Sequence, residues 1–369
     1  MSKIRVLVVD DSVVVRRIVS DALSTDPEVE VAGVAANGRI ALAKIDQLAP
    51  DIITLDIEMP EMDGMETLAA LRKSHPRLPV IMFSTLTERG AETTLLALSM
   101  GASDYVTKPS SIGAPGALSL DDARKQVAQD LLPKVKALGG RRVASMAPRG
   151  PGGLPQSPGT TRATGRSKGI DIVAIGASTG GPNALATVMS QIPADLRAPI
   201  VIVQHMPPLF TRLLAQRLTA GSKFPVHEAQ HGDVLEPGQA WLAPGGSHMT
   251  LVRQGRNVVI ELNQEPPENS CRPAVDVLFR AVAELFDANS LAVILTGMGQ
   301  DGLRGCEAID SRGGQIVAQD EASSVVWGMP GYVARAGIAD AILPIDAVAA
   351  EIVRRVQRPL DRFIPREGP

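Results

Sequence analysis

Aromatic residues make up only 3% of the 369 positions, cysteines number two, and Lys plus Arg (37) nearly balance Asp plus Glu (40). Each shortage removes a class of protein. A formal net charge of −3 offers no overall polyanion-binding surface. Cys271 and Cys306 cannot build a disulfide framework, which fits a reducing compartment. No apolar run approaches the roughly 18 residues of a membrane span, and the opening MSKIRVLVVD enters a strand pattern without a signal-peptide core and cleavage site. A cytoplasmic protein that inserts into no membrane is expected. What is present, 44% hydrophobic residues in a chain of this length, gives a prior of two domains, each able to bury a core.

A compositional break divides the chain. Residues 139–169, GGRRVASMAPRGPGGLPQSPGTTRATGRSKG, are rich in Gly, Pro, Ser and Thr and carry basic but no acidic side chains. Such a stretch buries too little apolar surface to offset its ordering entropy and reads as a flexible linker. A basic nucleic-acid arm is the alternative, weakened because no aromatic residue is interleaved with the charges. The division expected is 1–125, an extended helix plus linker over 126–168, and 169–369.

Before the break, KIRVLVVD, VEVAGVAANG, DIITLD, PVIMFS and DYVTKP read as buried strands. Between them Val15, Ile18, Val19 and Ala22, and later Leu95 and Leu98, recur at helical spacing. Five strand–helix units predict an α/β fold with a doubly wound parallel sheet, whose ligands bind beyond the carboxyl ends of the strands. Those ends carry Asp10 and Asp11, Asp56, Ser84, and Lys108 ahead of Pro109. Converging carboxylates repel one another unless a hard cation such as Mg²⁺ neutralises them. One carboxylate alone would read as a helix cap. The set reads as an aspartyl-phosphate site: Asp56 the nucleophile, Asp10 and Asp11 beside it around the metal, Lys108 a point charge for phosphate, Ser84 a hydroxyl donor.

With VVDDS, LDIEMPEMDG and KP in this order and spacing, the first 125 residues resemble the receiver domain of bacterial response regulators. The resemblance implies a five-stranded fold, phosphorylation of Asp56 with Mg²⁺, and a switch role for Tyr105. A switch needs an output. A DNA-binding module would be compact and carry a basic recognition helix, whereas residues 170–369 are about twice that length and show none. IDIVAIGAS, APIVIVQH, SLAVILTGMG and GQIVAQD read instead as apolar strands with helical stretches between, so an enzyme is expected.

One motif in this half misleads. HEAQH, from His227 to His231, spells the H-E-x-x-H of zinc proteases, which requires both histidines on one face of a continuous helix plus a third ligand. Pro225 and Gly232 leave no room for two helical turns. Val226, Gln239, Trp241 and Leu242 predict short strands and turns, and the histidines read as surface or turn residues.

The stronger constellation starts at GASTGG, where Gly176, Ser178 and Gly180 form G-x-S-x-G between a buried strand and a helix from Pro182 onward, as in a nucleophile elbow. A glycine-rich anion loop is the alternative, but it lacks the Walker lysine and the G-x-G-x-x-G spacing. His205 closes the next strand in QHMPP, and Asp301 follows another in TGMGQDG, giving a serine, a base and a carboxylate to fix the base's tautomer. Their order, Ser, His, Asp, differs from the Ser, Asp, His of α/β-hydrolases and predicts convergent chemistry on another fold.

With APGGSHM and RPAVDVLF as further context, residues 170–355 are similar to the catalytic domain of the protein-glutamate methylesterases of bacterial chemotaxis; Ala274 stands where that family commonly has serine. The order receiver, linker, esterase matches that family. The resemblance implies hydrolysis of γ-glutamyl methyl esters on the cytoplasmic helices of chemoreceptors, with release of methanol and glutamine deamidation as a related activity. It implies a chemotaxis histidine kinase as phosphodonor, Mg²⁺ in the receiver alone, and no cofactor for hydrolysis. A monomer that binds no nucleic acid is expected. Ser178 is the expected nucleophile, His205 the base and Asp301 its orienting anion. Backbone amides near Thr179 and Met298 are candidate oxyanion donors, since both lie in tight strand-to-helix turns, and the Thr179 hydroxyl is a candidate support for His205. The unphosphorylated receiver is expected to cover the esterase crevice and release it on phosphorylation. Two alternatives stay open: a triad serving mainly as a glutamine amidase or in a non-chemotaxis array, and a docking module without catalysis.

Overall fold

The computed structural model describes residues 3–109, 119–146 and 169–357, the side chains of 141–146 excepted. They fall into two compact units, Met1–Leu154 and Pro155–Pro369.

In the first unit, strands β1 (Ile4–Val9), β2 (Val29–Ala35), β3 (Ile52–Asp56), β4 (Val80–Ser84) and β5 (Asp104–Thr107) alternate with helices. These are α1 (Val13–Leu23), α2 (Gly38–Leu48), α3 (Gly64–Ser74), α4 (Glu88–Ser99) and α5 (Leu120–Met146). The sheet is parallel, in the order β2-β1-β3-β4-β5. Every residue of β3 and β4 is buried, because helices cover both faces, and this is why they read as mainly apolar runs. Local chemistry sets the helix starts: the Ser12 hydroxyl caps α1, and Asp63 with Glu66 forms a reciprocal capping box on α3. The strand order reverses between β1 and β3, so their carboxyl ends open the crevice in which Asp10 and Asp56 stand.

Helix α5 corrects one reading. It packs on α1 and β1 and runs through Gly139 and Gly140 to Met146, so the first residues of the Gly-rich stretch are helical and a boundary at 125 falls inside the helix. A Cβ at Gly139 would run into Ile4 and lie 3.7 Å from Ile52 Cγ2. Glycine serves close helix-to-sheet approach there. The rest of the expected linker, 147–168, lies outside the described residues.

The second unit opens with β6 (Ile172–Ala177), α6 (Gly181–Gln191), β7 (Ile200–Gln204), α7 (Pro208–Gly221), β8 (Val226–Glu228) and β9 (Ala240–Leu242). A hairpin of β10 (His248–Gln254) and β11 (Asn257–Asn263) follows, then α8 (Val275–Phe286), β12 (Ser290–Ile294), α9 (Leu303–Ser311) and β13 (Gln315–Gln319). Helix α10 (Met329–Arg335), β14 (Ala341–Leu343) and α11 (Ile345–Val356) complete it. Seven parallel strands pair in the order β14-β13-β12-β6-β7-β9-β8. The antiparallel hairpin packs on α8, and a core including Val201, Val203, Leu278, Phe279, Ile294 and Ile316 lies between sheet and helices. From β6 the chain lays strands first on the β7 side and later on the β12 side, which makes the carboxyl end of β6 the switch point of the sheet. Among the described residues no helix is long and apolar enough to cross a membrane.

Candidate active site

Ser178 is the first residue beyond β6. Its N–H donates to the Thr296 carbonyl (3.0 Å), while its carbonyl accepts from Gly181 N–H (2.7 Å) and from Gln204 Nε2 (3.0 Å). The turn is thereby tied to the strands on both sides of β6. Gly180 lies at φ +79°, and a Cβ there would come within 2.6 Å of Val325 Cβ, so both conformation and space require glycine. Gly297 abuts the serine from the other side: a Cβ on it would lie 2.9 Å from Ser178 Cβ. Met298 therefore follows directly from the wall of the Ser178 turn. Thr179 is buried, and its carbonyl accepts the Thr296 hydroxyl at 2.9 Å.

His205 is the first residue beyond β7, and its N–H donates to the Ala177 carbonyl (3.3 Å). Because Ala177 pairs with Gln204 across β6 and β7, Ser178 and His205 stand side by side at neighbouring strand ends. The imidazole Nε2 lies 2.8 Å from Asp301 Oδ2. Asp301 is 2% exposed and accepts four further hydrogen bonds, from the N–H groups of Val275 (2.7 Å), Asp276 (3.0 Å) and Gly302 (3.0 Å) and from Asn269 Nδ2 (3.0 Å). Two of these donors form the start of α8, whose N-cap Ala274 has no side chain to supply the cap, so Asp301 fills that role from a distant loop. Burial raises the Asp301 pKa, but the hydrogen bond and charge of His205, then the backbone amides, outweigh it and hold the carboxyl below its ordinary range.

The other imidazole nitrogen, Nδ1, lies 3.5 Å from Cys271 Sγ. Burial lowers the His205 pKa, but Asp301 and Cys271 override it and push the value up to about 10. Sequence reasoning missed Cys271, Asn269, Gln204 and Thr296. For the last two a signal existed, a polar residue closing an apolar run, the Q of QH and the T of TG. Asn269 bridges Asp301 and Asp276 (2.9 Å) from a left-handed backbone at φ +52°, and nothing in its neighbourhood announced that role.

The first unit carries its own cluster. Asp10, Asp56 and Lys108 meet at the crevice, with Lys108 Nζ 2.8 Å from Asp56 Oδ1 and 3.0 Å from Asp10 Oδ2. Carboxylate oxygens of Asp10, Asp11 and Asp56 lie within 4.8 Å of one another. Asp56 Oδ2 is buried and meets no donor among the described residues. An oxygen-only donor set with an orphaned anionic atom fits a hard divalent cation such as Mg²⁺. Burial first, then the Asp10 charge, push the Asp56 carboxyl up to about 6 against the pull of Lys108. A cavity of about 290 Å³ opens here, lined by Asp11, Asp56, Glu58, Thr85, Gly90 and Lys108. Ser84 does not line it: its buried hydroxyl donates to the Gly90 carbonyl (3.1 Å) and accepts from Thr94 Oγ1 (2.7 Å). Tyr105 is buried on β5, with the Lys134 ammonium 5.2 Å from its ring centre.

HEAQH resolves into three unrelated contacts. His227 Nε2 meets Gln239 Oε1 (2.9 Å), Glu228 accepts the Thr211 hydroxyl (2.7 Å), and His231 Nδ1 accepts from Leu262 N–H (3.3 Å). His227 and Glu228 lie on the edge strand β8, where neighbours alternate between faces, so the helical geometry of a zinc protease is absent.

The model of the CheB methylesterase family matches residues 173–352, and that of the response regulator receiver domain matches residues 6–114. A protein-glutamate methylesterase/protein-glutamine glutaminase of Trichodesmium erythraeum is 52% identical over 360 residues, covering 96% of this chain and 100% of the relative. A protein of the same name from a Nocardioides species is 49% identical over 370 residues, 99% of each chain. The crystal structure of the Thermotoga maritima CheB methylesterase catalytic domain, 41% identical, covers 51% of this chain and 99% of its own with a TM-score of 0.50. The chain thus belongs to the protein-glutamate methylesterase/protein-glutamine glutaminase family, in which a receiver domain regulates a methylesterase domain.

Proposed function

We propose that the chain removes γ-methyl esters from glutamates of chemoreceptor cytoplasmic helices, and deamidates glutamines there, through Ser178, His205 and Asp301. The observation that carries this reading is the juxtaposition of Ser178 and His205 at adjacent strand ends, with Asp301 2.8 Å behind the imidazole. Since Asp301 engages Nε2, Nδ1 is the nitrogen that takes the Ser178 proton as Oγ attacks the ester carbonyl. The imidazolium then hands that proton to the departing methoxide. Water, deprotonated by the same nitrogen, cleaves the acyl-serine and restores the enzyme. The amides near Thr179 and Met298 are assigned to the developing oxyanion, with the Thr179 hydroxyl as support for His205.

Asp56 is the assigned phosphoacceptor, and a histidine kinase of the receptor array the phosphodonor. Asp10, Asp11 and Asp56 would hold Mg²⁺, which neutralises charge as phosphate approaches. Lys108 pairs with the phosphate, Ser84 turns its hydroxyl from the Gly90 carbonyl toward it, and Tyr105 reports the change. The regulatory unit runs through α5, and residues 169–369 form the catalytic unit. The protein works in the cytoplasm as a monomer. The deciding experiment measures methanol and ammonia release from methylated receptor membranes, with and without a small phosphodonor. Methanol release that rises with phosphodonor supports the reading; ammonia alone would make the chain an amidase, and neither product would leave a docking module.

A further inference from the structure

We propose that His205 Nδ1 and Cys271 Sγ form a site for a thiophilic divalent cation, Zn²⁺ foremost, and that its occupation shuts off hydrolysis. The second half of this statement rests on the reading of His205 as the base.

The spacing comes first. Zinc binds sulfur at about 2.3 Å and imidazole nitrogen at about 2.0–2.1 Å, and two such ligands at a tetrahedral angle stand roughly 3.6 Å apart. Sγ and Nδ1 are 3.5 Å apart, so the pair already spans one edge of the tetrahedron. The second observation is the partner of the other ring nitrogen. A metal-bound histidine characteristically donates its remaining N–H to a carboxylate, which fixes the tautomer and raises ligand basicity. Here Nε2 faces Asp301 at 2.8 Å, and Asp301 is itself immobilised by its other donors.

The cysteine is held as firmly. Its N–H donates to the Glu268 carbonyl (2.9 Å), and its carbonyl accepts from Glu268 N–H (3.1 Å). His205, Cys271 and Asp301 offer nitrogen, sulfur and oxygen within 4.8 Å of one another, with Asp301 supplying the negative charge. The nearby cations are turned elsewhere: Arg280 pairs with Glu268, and Arg272 donates to the carbonyls of Gln264 and Glu265. His205 and Cys271 are both partly exposed, so water can complete the coordination shell. Donor chemistry separates this site from the receiver cluster, whose oxygens select hard cations. Cys306 is fully buried in α9 and cannot compete. A cation on Nδ1 occupies the lone pair that would accept the Ser178 proton.

The test uses the full chain in saturating Mg²⁺ and a thiol-free reductant. Buffered Zn²⁺ is titrated while methanol release is followed, and Co²⁺ is titrated in parallel while the near-ultraviolet thiolate-to-cobalt charge-transfer band is recorded. One cobalt per chain with that band, and inhibition reversed by a chelator, are expected. Cys271→Ser, normalised to its own metal-free rate, should lose the band and need at least the ~10–100-fold more Zn²⁺ that loss of even an outer partner costs; Cys306→Ser should retain both responses. No band, or equal inhibition of Cys271→Ser, overturns the site. A band without inhibition keeps the ligands but overturns the shut-off, and with it the assignment of His205 as the base.

Discussion

A carboxylate that accepts five hydrogen bonds has little freedom to do anything but remain an anion, and Asp301 is such a group. Its consequence falls on His205, which Asp301 together with Cys271 keeps protonated up to about pH 10, while the proposed mechanism needs the neutral imidazole to accept the Ser178 proton. Below that value the active form is a minority that grows with pH, so kcat/KM should rise about tenfold per pH unit through neutrality and level off near the pKa of the free enzyme. Asp301→Asn should move this limb to lower pH and reduce the plateau by about 10⁴. A flat profile between pH 7 and 9 would remove His205 from the role of base. Replacing Ser178 by Ala should lower turnover by about four to six orders of magnitude while the fold persists, since the side chain is small and its turn is held through backbone atoms. Near-normal methanol release from that variant would end the assignment.

Loops between the elements carry the geometry, and here sequence and structure part company in an instructive way. Strand ends were legible because β3, β4, β6 and β7 are buried throughout and each stops where a polar residue appears, as in LD, FS and QH. Partners separated by long stretches of chain were not: Cys271 meets His205 from 66 positions away, and Asn269 meets Asp301 from 32. Neither spacing nor periodicity encodes such a meeting, which depends on how the segment between β11 and α8 folds back. Glycine misled at 139, where closeness to Ile4 rather than flexibility is its use, and informed at 180. Gly297 makes a test at this scale. In Gly297→Ala the new methyl would press on Met329 Sδ and stand 2.9 Å from Ser178 Cβ and 3.1 Å from its nitrogen. Displacing the serine by about 1 Å should cut kcat about 10²-fold, whereas melting temperature should shift by only a few degrees. Equal loss of both would mean that the turn tolerates no change as a folding element and says nothing special about the nucleophile.

At the scale of the whole molecule, two sites of opposite chemistry share one chain. The receiver crevice gathers three carboxylates and a lysine, the set proposed to hold a hard cation and phosphate, and the esterase rim gathers serine, imidazole and carboxylate, the set proposed to pass a proton. Coupling between them need not be strong: a tenfold change in rate corresponds to only about 1.4 kcal/mol of difference between the phosphorylated and unphosphorylated states. The two chemistries can therefore be dissected by what each requires. In the full chain, acetyl phosphate with Mg²⁺ should raise methanol release; Asp56→Asn should abolish that rise and leave the unstimulated rate, because its change lies wholly in the receiver crevice. Removing divalent cations with a chelator should have the same signature as Asp56→Asn, since the acidic cluster loses the charge that lets a phosphate approach Asp56, whereas proton transfer through His205 continues. A chelator that also stopped the unstimulated reaction would show that hydrolysis itself depends on a metal, and the serine mechanism would then have to give way.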